Sequence, residues 1–279
     1  MLLEKSKEII NKAIKDYKPK AIFMMFSGGD DSRCAYEVAT ALNIPLTHFV
    51  FGNTRTGIPD TTDYVREFSL SSGLPYIEAD AGEAYEDYVT RKGFFGRGEK
   101  AHSFAYHVIK ASQFRKAASS IRHRRRNFNI LLINGARQTE SENRSKNLTD
   151  IYNVDPAATS NIWVNIIHHW EKKDCLDFLA DCKSRRNPVT EALCRSGECM
   201  CGTMQSKEER NEAAFFFPEW GRWLDDIRRR VMIDKGFTWD WGEHISNYAK
   251  AKMNGQMEFE QFADFTPEFQ PACMDCIRR

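Results

Sequence analysis

The stretch AIFMMFSGGDDS, residues 21–32, constrains this chain more than any other. Its first six residues are apolar without interruption, the mark of a strand buried on both faces. The turn Ser27-Gly28-Gly29-Asp30-Asp31-Ser32 then leads into an apolar-periodic segment. That periodicity predicts a helix over 32–43, closed by Asn43 and Pro45. A strand, a glycine turn and a helix in succession build a place where backbone N–H groups face an anion.

The rest of the chain repeats the alternation. Residues 2–17 place Leu3, Ile9, Ile10, Ala13, Ile14 and Tyr17 on one helical face. Strands are expected at 46–53, 75–80, 129–135 and 161–167. Helices are expected after Asp60 or Thr61 as cap, near 83–91, over 103–121, and over 172–183 with Leu176 and Leu179 inside. Such alternation specifies an α/β fold with a mainly parallel sheet and crossover helices on both faces, whose ligand site lies at the carboxyl ends of the strands. The texture changes near residue 186. Five of the eight cysteines and four of the six tryptophans follow it. The expected organisation is therefore an α/β domain over 1–185 and a smaller, Cys-rich, helical region over 186–279.

The opening turn is neither the G-x-x-x-x-G-K-[ST] phosphate loop nor the G-x-G-x-x-G dinucleotide fingerprint. Gly28 and Gly29 allow a tight turn, Ser27 and Ser32 offer hydroxyls, and the helix adds its positive end. A carboxylate there repels phosphate unless a divalent cation stands between them. Asp31 thus suggests magnesium-bridged pyrophosphate.

With its strand and helix, S-G-G-x-D-S resembles the PP-loop of the ATP pyrophosphatases. Three further segments resemble the phosphoadenosine phosphosulfate (PAPS) reductase-like branch of that superfamily, in the right order. They are FGNTRTGIPDTTDYV (51–65), NGARQTESENRS (134–145), with G-x-R-x-x-E-S-x-x-R, and NIIHHWEKKDCLDFL (165–179). The resemblance implies the adenine nucleotide α-hydrolase-like fold. It puts Ser27, Gly28, Gly29, Asp31 and Ser32 at the phosphates and Asn53 to Thr56, including Thr54, along the adenosine. It also puts Gly135, Arg137 and Arg144 at the anionic end of the nucleotide, where guanidinium forks suit phosphate or sulfate.

The cysteines set this chain apart from sulfonucleotide reductases, which resemble one another in a C-terminal E-C-G-[LI]-H that is missing here. Cys194-x4-Cys199-x-Cys201 and Cys273-x-x-Cys276 stand in its place. Four thiolates at such spacing suit a 4Fe–4S cluster or zinc, and the tight C-x-C favours the cluster. The segment Ser196 to Gly202, S-G-E-C-x-C-G, resembles that of PAPS reductase-like proteins outside sulfate assimilation. Relatives of the DNA phosphorothioation and tRNA thiolation type use a cluster beside the PP-loop. The expected ligands are Cys199, Cys201, Cys273 and Cys276, with Cys194 a spare or a catalytic thiol. Cys34, Cys175 and Cys182 lie on helical patterns and read as small buried hydrophobes.

Other features weigh less. The run RHRRR (122–126) suits a nucleic-acid backbone, an anionic substrate or a solvated loop. His102 and His107 lie in a segment whose place in the family faces the nucleotide, open to a catalytic role. His168 and His169 are expected to pack or cap beside Trp170, and 215–227 to form core. With 40 Lys and Arg against 39 Asp and Glu, no global field dictates a partner. A charged start and no apolar run of membrane-spanning length read as cytoplasmic, with reduced or metal-bound cysteines.

Together these features lead to an expected activity. An adenine nucleotide, ATP with Mg2+, activates an acceptor by adenylation, releasing pyrophosphate and then AMP, for sulfur transfer assisted by the cluster. Asp31, Arg137 and Cys194 carry the chemistry. The acceptor is nucleic acid or a small molecule, and a sulfur-donor protein such as a cysteine desulfurase and an oligomeric assembly are compatible partners. The alternatives are a phosphoadenosine or adenosine phosphosulfate reductase, and a non-catalytic nucleotide- or cluster-binding subunit of a complex.

Overall fold

Alternation along the first strand decides how the layers stack. In the computed structural model, which describes residues 1–122, 128–140, 148–152, 161–246 and 249, β1 is Ala21–Met25, buried throughout. Ile22 and Met24 enter one core, and Ala21, Phe23 and Met25 the other. With β2 (His48–Phe51), β3 (Tyr76–Glu78), β4 (Ile130–Asn134), β5 (Ile151–Tyr152) and β6 (Asn161–Asn165), it forms a sheet of order β3-β2-β1-β4-β6-β5. All pairings are parallel except β5 with β6. Met24 stands opposite Phe49 on one side and Ile133 on the other.

The helices, in chain order, are α1 (Leu2–Tyr17), α2 (Asp30–Ala41), α3 (Pro59–Ser72), α4 (Ala84–Lys92), α5 (Glu99–Tyr106) and α6 (Ser112–Arg122), then α7 (Lys172–Ala180), α8 (Pro188–Leu193), α9 (Lys207–Phe216) and α10 (Pro218–Arg228). Side chains of α1, α2, α3 and α7 fill the core on the Met24 face, while Ala118 of α6, with Phe114 and Ile121, covers the Phe23 face. Helices thus lie on both faces of a mainly parallel sheet, the adenine nucleotide α-hydrolase-like arrangement. Met1–Glu243 make one compact unit, so α8, α9 and α10 belong to the same unit as the sheet. No helix among the described residues is long and apolar enough to cross a membrane.

Several boundaries differ from expectation, each for a local reason. Helix α2 starts at Asp30 because Gly29, in extended conformation, is its N-cap, and both aspartates then sit in the first turn, where the helix end favours negative charge. Helix α3 starts at Pro59 behind Ile58, since proline is preorganised for the first helical position; neither Asp60 nor Thr61 caps it. The periodic segment 103–121 begins earlier, at Glu99, and is broken by a π-helical turn, His107–Ala111. In α7 Leu176 is 40% exposed, and Cys175 turns inward with Leu179 instead. Cys175 meets Cys34 of α2, and this contact and burial keep the Cys34 thiol neutral, far above its usual range. Cys182 is only half-buried at the core's edge. Of the aromatic stretch, Trp220, Leu224 and Ile227 are core, whereas Phe215 and Phe216 are exposed.

The junction of α2 with the chain beyond α7 is electrostatic. Arg186 forks onto Asp30 at 2.9 and 2.7 Å, Lys172 reaches it at 3.5 Å, and Arg33 flanks it at 3.6 Å. Burial opposes ionisation of Asp30, but these cations outweigh it and hold its carboxyl below the usual range. A depressed folded-state value means stability that is complete above the unfolded value of about 3.8 and is lost as pH falls through the lower folded value. Arg186→Gln is expected to cost about 1.5–3 kcal/mol at pH 7. In acid denaturation profiles its deficit relative to wild type should close as Asp30 protonates; a deficit independent of pH would show that Arg186 acts by packing alone.

Candidate functional site

Strands β2 and β3 extend the sheet to one side of β1, and β4 opens the other. In open parallel sheets the crevice at such a reversal is where ligands bind. The loops leaving β1 and β4 meet there at backbone distance. A Cβ added at Gly135 would stand 2.4 Å from the carbonyl oxygen of Asp31 and 2.7 Å from the nitrogen of Ser32. Only glycine lets the two strand ends approach so closely. Gly28 takes a positive φ of 78° in the first loop. Its carbonyl accepts from Asn187 Nδ2 at 3.0 Å and Thr190 Oγ1 at 3.3 Å, so α8 braces the turn. The Ser27 and Ser32 hydroxyls lie 3.2 Å apart, and Ser32 Oγ donates to the Gly29 carbonyl at 2.9 Å.

A cavity of about 730 Å³ opens over this junction. Ser27, Gly29, Asp31 and Ser32 form one wall, Asn134, Gly135 and Glu140 another, and Lys172 stands at the edge. Tyr106, Lys110 and Phe114 close it from the helices, and Cys194, Arg195, Ser196 and Glu198 face the loop. Asp31 is contacted by Arg137 at 3.1 Å and by Lys172 Nζ at 3.2 Å. Burial works against the charge of Arg137, but Asp31 outweighs it and raises the guanidinium pKa. Arg137 Nε is a buried donor without a partner among the described residues.

Asn53, Thr54 and Thr56 are not among the residues that line the cavity; the stretch from Asn53 to Thr61 is the mould for the cysteine segment. Thr54 and Thr56 are fully buried, and Asn53 nearly so. Thr54 Oγ1 donates to the Glu198 carbonyl at 2.8 Å, Met200 N to Thr56 Oγ1 at 3.1 Å, and Ile58 N to the Gly197 carbonyl at 2.9 Å. Asn53 Nδ2 turns away to Glu78 at 2.7 Å. The Thr54 and Thr56 hydroxyls are committed to pairing buried backbone groups. Gly57 approaches so closely that a Cβ would meet the Glu198 carbonyl oxygen at 2.4 Å.

Cys199 and Cys201 sit on this mould with thiols in hydrogen-bond contact. The Cys199 thiol and the Thr203 hydroxyl stabilise a Cys201 thiolate, against burial, and push its pKa down; the neighbouring sulfur and burial push Cys199 up. Beside them Lys110 pairs with Glu198 at 2.7 Å. Burial works against the ammonium, but Glu198 and Cys199 outweigh it and raise its pKa. Cys194 is exposed in the cavity wall, held by a positive φ of 54° at the end of α8.

The structure therefore brings together Ser27, Gly29, Asp31, Ser32, Gly135, Arg137 and Cys194, with Gly28 just behind the wall. Asn53 and Thr54 lie elsewhere, and Arg144, Cys273 and Cys276 fall outside the described residues, as do 123–126 of the basic run. Arg122 is bound to Asn161 at 2.6 Å. His102 and His107 are exposed and line no part of the cavity; Tyr106 at the end of α5 and Lys110 in the π-helical turn face it instead. His168 is buried and His169 exposed, and neither caps a helix; Glu171 caps α7. Sequence pattern alone does not mark Lys172, Lys110, Glu198 or Arg195. Lys172 and Glu198 lie within the segments 165–179 and 196–202 that carry the family resemblance, whereas a π insertion has no sequence period and hides Lys110.

The donor set fits a magnesium ion carried in with phosphates, which asks for one or two carboxylates and the phosphate oxygens; Asp31, a quarter exposed, is such a carboxylate. Cys199 and Cys201 fit two positions of a four-thiolate centre.

Comparison with solved structures finds the same fold. FMN adenylyltransferase from Candida glabrata, in complex with FMN and the ATP analogue AMPCPP, superposes with a TM-score of 0.51 at 16% identity, over 68% of this chain and 60% of that one. Phosphoadenylyl-sulfate (PAPS) reductase from Candida auris, a phosphate complex, gives 0.47 at 15% identity, over 67% and 83%. Among curated proteins nothing matches. The model of the phosphoadenosine phosphosulfate reductase domain, however, matches residues 21–204. That span runs from β1 to just beyond Cys201 and contains every residue that lines the cavity. The chain belongs to the phosphoadenosine phosphosulfate reductase domain family.

Proposed function

We propose that the cavity binds ATP and that the chain adenylates an acceptor oxygen and replaces it with sulfur. One observation carries this reading: a glycine loop at a helix N-terminus and an exposed thiol, Cys194, line the same cavity. The fold neighbour from Candida glabrata holds an ATP analogue, which supports a nucleotide here.

The N–H groups at the start of α2 receive the phosphates, and the Ser27 and Ser32 hydroxyls rotate from each other toward phosphate oxygens. Lys172, shared between Asp30 and Asp31, is long enough to follow the negative charge onto departing pyrophosphate. Arg137 stays behind Asp31 and keeps that carboxylate aimed. The acceptor oxygen attacks the α-phosphorus, loses its proton, and pyrophosphate leaves with the electrons of the broken P–O bond. A sulfur nucleophile delivered at Cys194 then attacks the carbon bearing the adenylated oxygen, and AMP departs with that oxygen. Magnesium, when bound beside Asp31, supplies charge neutralisation at the phosphates. An iron–sulfur cluster, were one held with Cys199 and Cys201 among its thiolates, would supply sulfide as a reservoir of sulfur. The Lys110–Glu198 pair fixes the segment between the two functions. The second reading, sulfonucleotide reduction, is favoured by the family match, and Cys194 is then the thiol that attacks sulfur.

Calorimetric competition between magnesium-ATP and phosphoadenosine phosphosulfate, on anaerobically prepared protein, separates the two. ATP is expected to win and to yield AMP and pyrophosphate on turnover; preference for the phosphosulfate, or ADP as product, overturns the adenylation chemistry. Asp31→Asn should lower turnover about 100-fold or more without a matching loss of thermal stability. Cys194→Ser should leave nucleotide affinity unchanged and reduce sulfur incorporation by about two orders of magnitude or more. Retained incorporation would move the sulfur-carrying role to Cys199 and Cys201.

A further inference from the structure

We propose that Asp150, His168 and His169 form a binding site for a divalent transition-metal ion, zinc by the chemistry of its donors, at the carboxyl end of β6. The two imidazoles converge on a single carboxylate oxygen. His168 Nε2 lies 3.5 Å and His169 Nε2 3.2 Å from Asp150 Oδ1, and the three ligand atoms all fall within 4.8 Å of one another. Zinc bonds of about 2.0–2.1 Å at tetrahedral angles require ligand atoms about 3.4 Å apart. Both histidine-to-carboxylate separations already match that spacing.

The backbone sets this arrangement beforehand. Asn165, the last residue of β6, donates its N–H to the Asp150 carbonyl at 2.8 Å and its side-chain amide to the Thr149 carbonyl at 2.7 Å. A tight turn follows, in which His168 N donates back to the Asn165 carbonyl at 3.0 Å. The turn sets the two rings edge to face, 88° apart with centroids at 4.6 Å, so their nitrogens meet Asp150 from different directions instead of stacking. His168 is buried, and its Nδ1 has no partner among the described residues, so the ring directs its polar contact through Nε2 alone.

Two imidazoles and one carboxylate select against magnesium and calcium, which take oxygen ligands, and suit zinc. Among the described residues the group supplies three ligands. A fourth position is left for water or an anion, as in open zinc sites. The site is separate from the thiols and lies outside the cavity wall. Its backbone is nonetheless tied to the turn that carries Arg137: Gln138 N donates to the His168 carbonyl at 3.0 Å. An ion here would stiffen the support of Arg137 and touch no nucleotide.

The test is zinc K-edge X-ray absorption on the untagged full-length chain, stripped with chelator and reloaded with two equivalents of zinc. The expected spectrum contains nitrogen and oxygen scatterers near 2.0–2.1 Å in addition to any thiolate sulfur near 2.3 Å. His169→Gln and Asp150→Asn replace side chains that are not buried, so the metal-free variants should melt with wild type. Each should lose the nitrogen–oxygen component and weaken that zinc equivalent at least tenfold in calorimetric titration, leaving sulfur-bound zinc in place. Zinc bound by sulfur alone in wild type, or a nitrogen–oxygen site retained at full affinity in both variants, overturns the proposal.

Discussion

The close approach of two backbones at the carboxyl ends of β1 and β4 is the constraint on which the cavity depends. Gly135 lies against the Asp31 carbonyl with no space for a Cβ. That contact brings Arg137, two residues on, within 3.1 Å of the Asp31 carboxylate. It also sets the start of α2 and the end of β4 as adjoining walls of one cavity. A bulkier residue at 135 would part the two loops, and with them the cation from the carboxylate.

Neighbouring aspartates in one helical turn do different work because their surroundings differ. Asp30 is buried and held by Arg186, Lys172 and Arg33, and it fastens α2 to the chain beyond α7. Asp31 is partly exposed to the cavity. Lys172 touches both, so it couples the structural pair to the one that faces a ligand.

The cysteine segment is held by the loop after β2 more than by its own secondary structure. Thr54, Thr56 and Ile58 pair its backbone, Tyr85 and Trp241 hold the Cys201 and Met200 carbonyls, and Gly57 lets the strands of loop meet. A buried irregular segment needs such pairing, because each unpaired amide or carbonyl costs as much as a lost hydrogen bond. This explains why Thr56 and Gly57 lie against the segment that carries the thiols.

The sequence alone determined the five parallel strands, though not the short antiparallel β5, and with them the crossover helices, the glycine loop and the family, because apolar periodicity and turn chemistry are local properties. Residues 21–32 carried most of that information. Tertiary structure decided the rest, and long-range contact is the reason. Only folding shows that Asn53 and Thr54 are consumed by Glu78 and Glu198, or that Cys175 displaces Leu176 from the core by meeting Cys34. Only folding brings Lys110 across 88 positions to Glu198, and joins Asp150 with His168 and His169 at one strand end. Spacing along a chain records which residues share a helix or strand; which charges and ligands meet depends on how those elements stack.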